Sequence, residues 1–237
     1  MKSDPVLFIP PMLCDARVFL DQIAHLSRDH VVISAPPCGG ETMEEIAALI
    51  LAWAPAHFAL VGASMGGMIA LEIMRQAPER VTRLALINTI AQADTPRIAS
   101  DRETQIIAAK AGRFADVIAH ELNADRFHED LDQATYGEGL RIMAEEIGAD
   151  VYVQQARAVQ KRKDQQTVLR KIRQPAWIIS GDSDPDLPLR RQEFIAEMIP
   201  YATHEVIENA GFLPTIEQPD RVSDVLRAWL QQPLVLR

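Results

Sequence analysis

The chain has 237 residues, 48% of them hydrophobic, and a formal net charge of −9. That is enough chain and apolar mass for one α/β domain with room for an insertion. The acidic balance argues against nucleic acid as a partner, because phosphate binding needs basic stripes, and the cluster Lys161-Arg162-Lys163 reads as a solvated helix face.

Val6–Ile9 is a short continuous apolar run and reads as a buried strand. Residues 17–26 follow with helical spacing in Val18, Leu20, Ile23, Ala24 and Leu26. A second strand is expected over 31–34, stopped by Pro36 and Pro37. A helix is expected over 41–53, where Thr42 is a candidate N-cap and Glu45 completes a capping box. The third strand, 58–61, runs directly into Gly62-Ala63-Ser64-Met65-Gly66-Gly67. Helix 65–76 comes next, closed by Pro78, and then a strand over 84–87. From about residue 91 the strand signal disappears until 177–180. The block up to residue 173 is charged, rich in Ala and Gln, and helical in pattern at 102–111, 114–122, 139–147, 151–160 and 166–172. A strand over 205–207 and a helix over 222–230 complete the pattern.

Short apolar runs alternating with amphipathic helices predict an α/β fold: a mostly parallel sheet with helices on both faces. The helical block reads as a cap inserted over the sheet's C-terminal edge, where ligands bind in open α/β sheets. This divides the chain into a core of residues 1–90 and 174–237 and a cap of residues 91–173.

The G-x-S-x-G at Gly62, Ser64 and Gly66 carries the chemistry. A serine between a strand and a helix sits on a sharp, strained turn that presents its hydroxyl at the sheet edge. Such a turn needs small neighbours, here Gly62, Ala63 and Gly66, and Gly67 lets the helix pack closely on the strand. The helix points its N-terminus at the serine, so its dipole and free N–H groups favour an oxyanion. The Met65 N–H is one expected donor. The loop Pro10-Pro11-Met12-Leu13-Cys14-Asp15 after the first strand offers a second, the Met12 N–H, unless the prolines merely break the strand.

With these features the chain resembles the α/β-hydrolase fold superfamily, and more closely its small esterase-like and C–C-hydrolase-like members. The resemblance covers nearly the whole chain. In that superfamily an acid follows a late strand in a pattern like G-x-x-D-x-x-x-P. Gly181-Asp182-Ser183-Asp184-Pro185-Asp186-Leu187-Pro188 fits it with Asp184 as the acid, and Asp182 and Asp186 compete. The superfamily's base is a late histidine in G-H-x-x-x-x-E-x-P. Gly211-Phe212-Leu213-Pro214-Thr215-Ile216-Glu217-Gln218-Pro219 reproduces everything but the histidine. Phe212 holds the position of the base, and phenylalanine cannot accept a proton. Many relatives also carry His-Gly where this chain has Pro10-Pro11. The resemblance implies hydrolysis of an ester or a related acyl or C–C bond of a small apolar carbonyl substrate. Ser64 is then the nucleophile, no cofactor is needed, and the missing base impairs the reaction. A non-catalytic ligand-binding or regulatory protein using the same pocket is the alternative.

His120 and His128 fall in the expected cap and are the candidates to replace the base; His25, His30 and His57 lie away from the sheet edge, and His204 precedes the last strand. Without an imidazole to orient, Asp184 has no evident task. Cys14 reads as a small buried hydrophobe rather than a nucleophile. Met12, Met65, Met68 and Met143 are candidates to line an apolar pocket, with Met68 better placed in the core. Asn88 reads as a turn cap, with contact to the acid's loop as the other option. No zinc-binding spacing and no Gly-rich nucleotide loop is present, so neither metal nor cofactor is implied. Two cysteines, Cys14 and Cys38, are too few for a disulfide framework and fit a reducing compartment. Residues 1–5 do not read as a signal peptide, and no apolar run approaches the roughly 20 residues that span a bilayer. A soluble cytoplasmic protein with no membrane partner is expected.

Overall fold

The computed structural model describes residues 4–234. Strands β1 (Val6–Ile9), β2 (Val32–Ser34), β3 (Phe58–Ala63), β4 (Val81–Ile87), β5 (Ala176–Gly181) and β6 (Ala202–Ile207) form one sheet in the order β2-β1-β3-β4-β5-β6. Every neighbouring pair is parallel. The helices are α1 (Leu20–Leu26), α2 (Met43–Trp53), α3 (Met65–Gln76), α4 (Pro96–Lys110), α5 (Phe114–Glu121), α6 (Glu138–Ile147), α7 (Ala149–Lys161), α8 (Gln166–Leu169), α9 (Leu189–Met198), α10 (Pro214–Glu217) and α11 (Pro219–Gln231).

Side chains alternate along the strands. Leu7 and Ile9 enter one apolar cluster with Ile46 of α2, Ile73 of α3 and Ile195 of α9. Val6 and Phe8 enter another with Leu26 of α1 and Leu226 and Trp229 of α11. Burial on both faces is why β1 and β3 read as unbroken apolar runs. A third cluster belongs to the helices between β4 and β5: Ile106, Val117, Ile118, Ala144 and Tyr152 pack together around Leu13, from the loop after β1. Helix α8 instead turns Val168 and Leu169 into the cluster with α3 and α9.

The departures from expectation have local causes. Helix α2 starts at Met43: Thr42 is the N-cap, its Oγ1 accepting the Glu45 N–H at 3.2 Å, but Glu45 returns its bond to the N–H of Glu41, which lies outside the helix. The stretch 17–26 is split into a 3-10 turn, Ala16–Phe19, and α1, which leaves Leu20 59% exposed. Strand β4 begins at Val81 because pairing with β3 continues through the polar Arg83 and, across an irregularity that skips Thr82, to Val81. Strand β6 is an edge strand, largely half-buried, so it lacks an apolar run; it starts at Ala202, and His204 lies inside it rather than ahead of it. Helix α4 begins at Pro96, where Thr95 caps it and proline suits the first turn. Helix α9 was not expected, since it buries only Gln192 and Ile195 and shows no apolar stripe.

The topology fixes where a ligand can sit. From β1 the chain steps outward to β2, then returns across β1 to β3, and later strands add on the other side. The strand order therefore reverses between the carboxyl ends of β1 and β3, the crevice in which open α/β sheets bind ligands. No helix among the described residues is long and apolar enough to cross a membrane.

Candidate active site

Ser64 stands between β3 and α3 at φ 48°, ψ −113°, a conformation that costs a non-glycine residue on the order of 1–3 kcal/mol. The surroundings hold it there. Its N–H donates to the Ile87 carbonyl at 2.8 Å, and the Ser64 carbonyl accepts from Thr89 Oγ1 at 2.7 Å. The first turn of α3 lies directly on the end of β1, so a Cβ on Gly66 would fall 2.0 Å from the Ile9 carbonyl oxygen. A Cβ on Gly62 would fall 2.4 Å from the Gly66 oxygen. The close helix–strand approach expected of Gly67 belongs to Gly66; Gly67 faces the Thr89 side chain instead.

The loop after β1 meets this turn at the switch point. The Cys14 N–H closes a turn onto the Pro11 carbonyl at 3.3 Å, and Leu13 takes φ 61°, a value that turns usually reserve for glycine or asparagine. Gln155 of α7, itself buried, stabilises the turn by accepting the Leu13 N–H at 3.1 Å and donating to the Pro37 carbonyl at 3.1 Å. Met12, Ser64, Met65 and Met68 line one cavity of about 500 Å³. Among the described residues neither the Met12 nor the Met65 N–H donates a hydrogen bond to the protein. Two free donors and a hydroxyl on one cavity wall can receive a carbonyl and the charge that develops on its oxygen.

Asp184 follows β5, and its side chain is fully buried. Burial pushes its carboxyl above the usual range, against the opposing pull of the Arg126 guanidinium. With no imidazole at position 212, its partner is a cation instead: Arg126 Nη2 lies 3.2 Å from Asp184 Oδ2. The Asp186 N–H donates to the other oxygen at 2.9 Å. Asp182 accepts the N–H groups of Asn209 and Ala210 away from the cavity, whereas Asp186 lines the cavity and is mostly exposed. Phe212 also lines the cavity, with the Arg126 Cζ 3.8 Å from its ring centroid and Phe127 edge-on to it at 5.9 Å.

Two polar residues, the buried Asn88 and the half-buried Glu217, set the loop that carries Phe212. Asn88, at φ 41° after β4, donates from Nδ2 to the Gly211 and Phe212 carbonyls at 2.7 and 3.0 Å and accepts the Gly181 N–H at 3.1 Å. It joins the loop to the end of β5, a task beyond that of a turn cap. Glu217 accepts three N–H groups at 2.7 Å: Gly211 and His128 on Oε2, Leu213 on Oε1. Burial pushes its carboxyl up, and those three donors oppose the shift. Glu217→Gln replaces one acceptor oxygen by a donor and leaves at least one buried N–H facing another. We expect a loss of about 2 kcal/mol and a fall of roughly 4–8 °C in melting temperature. A melt within a degree of the unmodified protein would remove this role.

Of the candidate bases, His120 lines the cavity with Ser64, while His128 is turned away and its Nδ1 accepts the Asp130 N–H. His204 shares a 2.5 Å hydrogen bond with Ser180 on the sheet, and burial lowers its pKa. His25 pairs with Arg227, and His30 meets the Asp4 carbonyl. Burial pushes the Cys14 thiol up to about 12, so it behaves as a buried hydrophobe. Met143 is not in the cavity; its sulfur accepts the Asp15 N–H. The cavity is less apolar than expected, because Asp94 and Arg102 form part of its wall, with Asp94 paired to the buried Arg162 at 2.7 Å.

Comparison with other proteins agrees with this architecture. A pimeloyl-[acyl-carrier protein] methyl ester esterase of Aromatoleum aromaticum is 26% identical over 223 residues, covering 81% of this chain and 82% of that one. A 2-hydroxymuconate semialdehyde hydrolase of Pseudomonas putida is 25% identical over 73% of this chain and 62% of its own. The structure of a thermophilic esterase from Thermogutta terrifontis superposes with a TM-score of 0.85 at 24% identity, over 97% of this chain and 90% of that one. The family profile described as the alpha/beta hydrolase fold matches residues 41–219. A parallel sheet, a strained serine at its switch point and a match over three quarters of the sequence lead to one assignment: the chain belongs to the alpha/beta hydrolase fold family.

Proposed function

We propose that this chain carries the serine-nucleophile site of a hydrolase for a small ester or a related acyl or C–C bond, with the base position filled by Phe212 and turnover severely impaired. Residues 91–173 act as its cap. The observation that carries this reading is Ser64 on its strained turn, facing a cavity with two free N–H groups, while the acid beside position 212 is engaged by a guanidinium. Ser64 Oγ would add to the substrate carbonyl, and the Met12 and Met65 N–H groups would hold the oxyanion. The step stalls because nothing at position 212 accepts the Ser64 proton: neither phenylalanine nor the guanidinium beside it can take it. The esterase and hydrolase relatives support the reaction class. The alternative, a ligand-binding protein that uses the same cavity without turnover, is favoured by the same Asp184–Arg126 pair.

The Ser64→Cys variant separates the two readings, since a thiol at a helix N-terminus ionises without a neighbouring base. We expect p-nitrophenyl butyrate to acylate position 64 in a stoichiometric burst, located by mass spectrometry, followed by slow release. If no acyl group is found at position 64, the nucleophile reading fails and the binding reading takes its place.

A further inference from the structure

Asp184 and Phe212 do not border an empty position, because a cation fills the space between them. Arg126 reaches in from the segment joining α5 to α6. Its Nη2 is 3.2 Å from Asp184 Oδ2 and its Nε is 3.0 Å from Asp186 Oδ2. Its guanidinium carbon lies 3.8 Å from the Phe212 ring centroid, within cation–π range. Its carbonyl accepts the Phe212 N–H at 2.8 Å, and its Nη1 donates to the Glu121 carbonyl at 3.3 Å. The approach is close enough that a Cβ on Gly211 would fall 2.2 Å from the Arg126 carbonyl oxygen. Both oxygens of Asp184 are already used, one by the Asp186 N–H and one by Arg126.

We infer, on the reading of the site given above, that Arg126 is a positioning residue which takes Asp184 out of use as partner for a base at position 212. Arg126 and Phe212 act as one unit. The carboxylate of Asp184 is buried and needs a counter-charge. Arg126 supplies it and lies over the flat, non-ionisable Phe212 ring, whose face attracts a cation. An imidazole placed at 212 would meet a fixed cation at contact distance and an acid already committed. A neighbouring cation disfavours the protonated imidazole. Phe212→His alone therefore leaves the imidazole uncoupled from Asp184, whereas removing the guanidinium as well lets the two pair.

The test compares Phe212→His with the double variant Arg126→Leu/Phe212→His by NMR titration of the introduced imidazole, alongside p-nitrophenyl butyrate turnover. Arg126→Gln/Phe212→His serves as a second double variant that keeps a donor for the buried carboxylate should the leucine form fold poorly. In the single variant we expect an imidazole pKa below the ordinary value of about 6.5, no slowly exchanging Nδ1–H signal, and turnover within about threefold of the unmodified chain. In the double variants we expect the pKa at least about one unit higher, a slowly exchanging Nδ1–H signal that Asp184→Asn abolishes, and about a hundredfold more Ser64-dependent turnover. Equal pKa values in single and double variants, or a single variant as active as the doubles, overturns the inference. If the pKa values and the Nδ1–H signal separate as expected but turnover does not follow, the role of Arg126 stands and the ester-hydrolase reading of Ser64 fails.

Discussion

On p-nitrophenyl butyrate we expect the chain to turn over no faster than its own Ser64→Ala variant, within about threefold. Loss of the base from a serine triad costs about a millionfold in turnover in subtilisin, nearly as much as removing the whole triad. Once the proton acceptor is absent, removing the hydroxyl takes away little more. What survives in both proteins is the contribution of the cavity and the two N–H donors, which does not depend on Ser64. Initial rates at matched protein concentration and mildly alkaline pH provide the comparison. A Ser64-dependent rate more than about tenfold above the variant would mean that a base is present after all. His120, which lines the cavity, would then be the first residue to replace, and His120→Ala should abolish that rate.

The largest effect on folding is expected from Gly66→Ala. The added methyl group would lie 2.0 Å from the Ile9 carbonyl oxygen and 2.8 Å from that of Pro10. Both are backbone atoms at the end of β1, a strand paired on both sides, so neither can yield without parting β1 from β3 or displacing the Met12 loop. We expect at least about 4 kcal/mol of destabilisation and a melting temperature lower by roughly 10 °C or more, with low soluble yield. Gly139→Ala is the matched control, because a Cβ there, within α6, meets nothing within 4 Å. It should raise stability by about 0.5–1 kcal/mol through helix propensity. Similar melts for the two variants would show that the turn after β3 is looser than its contacts imply.

Much of the scaffold was legible because its determinants are local. The apolar runs of β1 and β3 follow from burial on both faces, and the capping of α2 by Thr42 follows from spacing within one turn. The serine turn needs small residues within two positions of Ser64, and these can be read directly. The strand edges, α9 and β6 were less legible, since half-exposed segments carry no apolar period and their pairing is decided by neighbours far along the chain.

The sequence by itself determined an α/β chain with a serine at a strand-to-helix turn, because both depend on residue types a few positions apart. The acid at Asp184 and the base position at Phe212 are what the resemblance to the α/β-hydrolase fold implies. Only the tertiary structure decided what surrounds those two residues. Arg126 sits 58 residues from Asp184 and reads in sequence as an ordinary charged residue, yet folding carries it onto the acid and against the Phe212 ring. Asn88 and Glu217 likewise acquire their roles from backbone groups up to 124 residues away. A buried carboxylate must find a counter-charge wherever the fold can deliver one, and that requirement leaves no trace in local spacing.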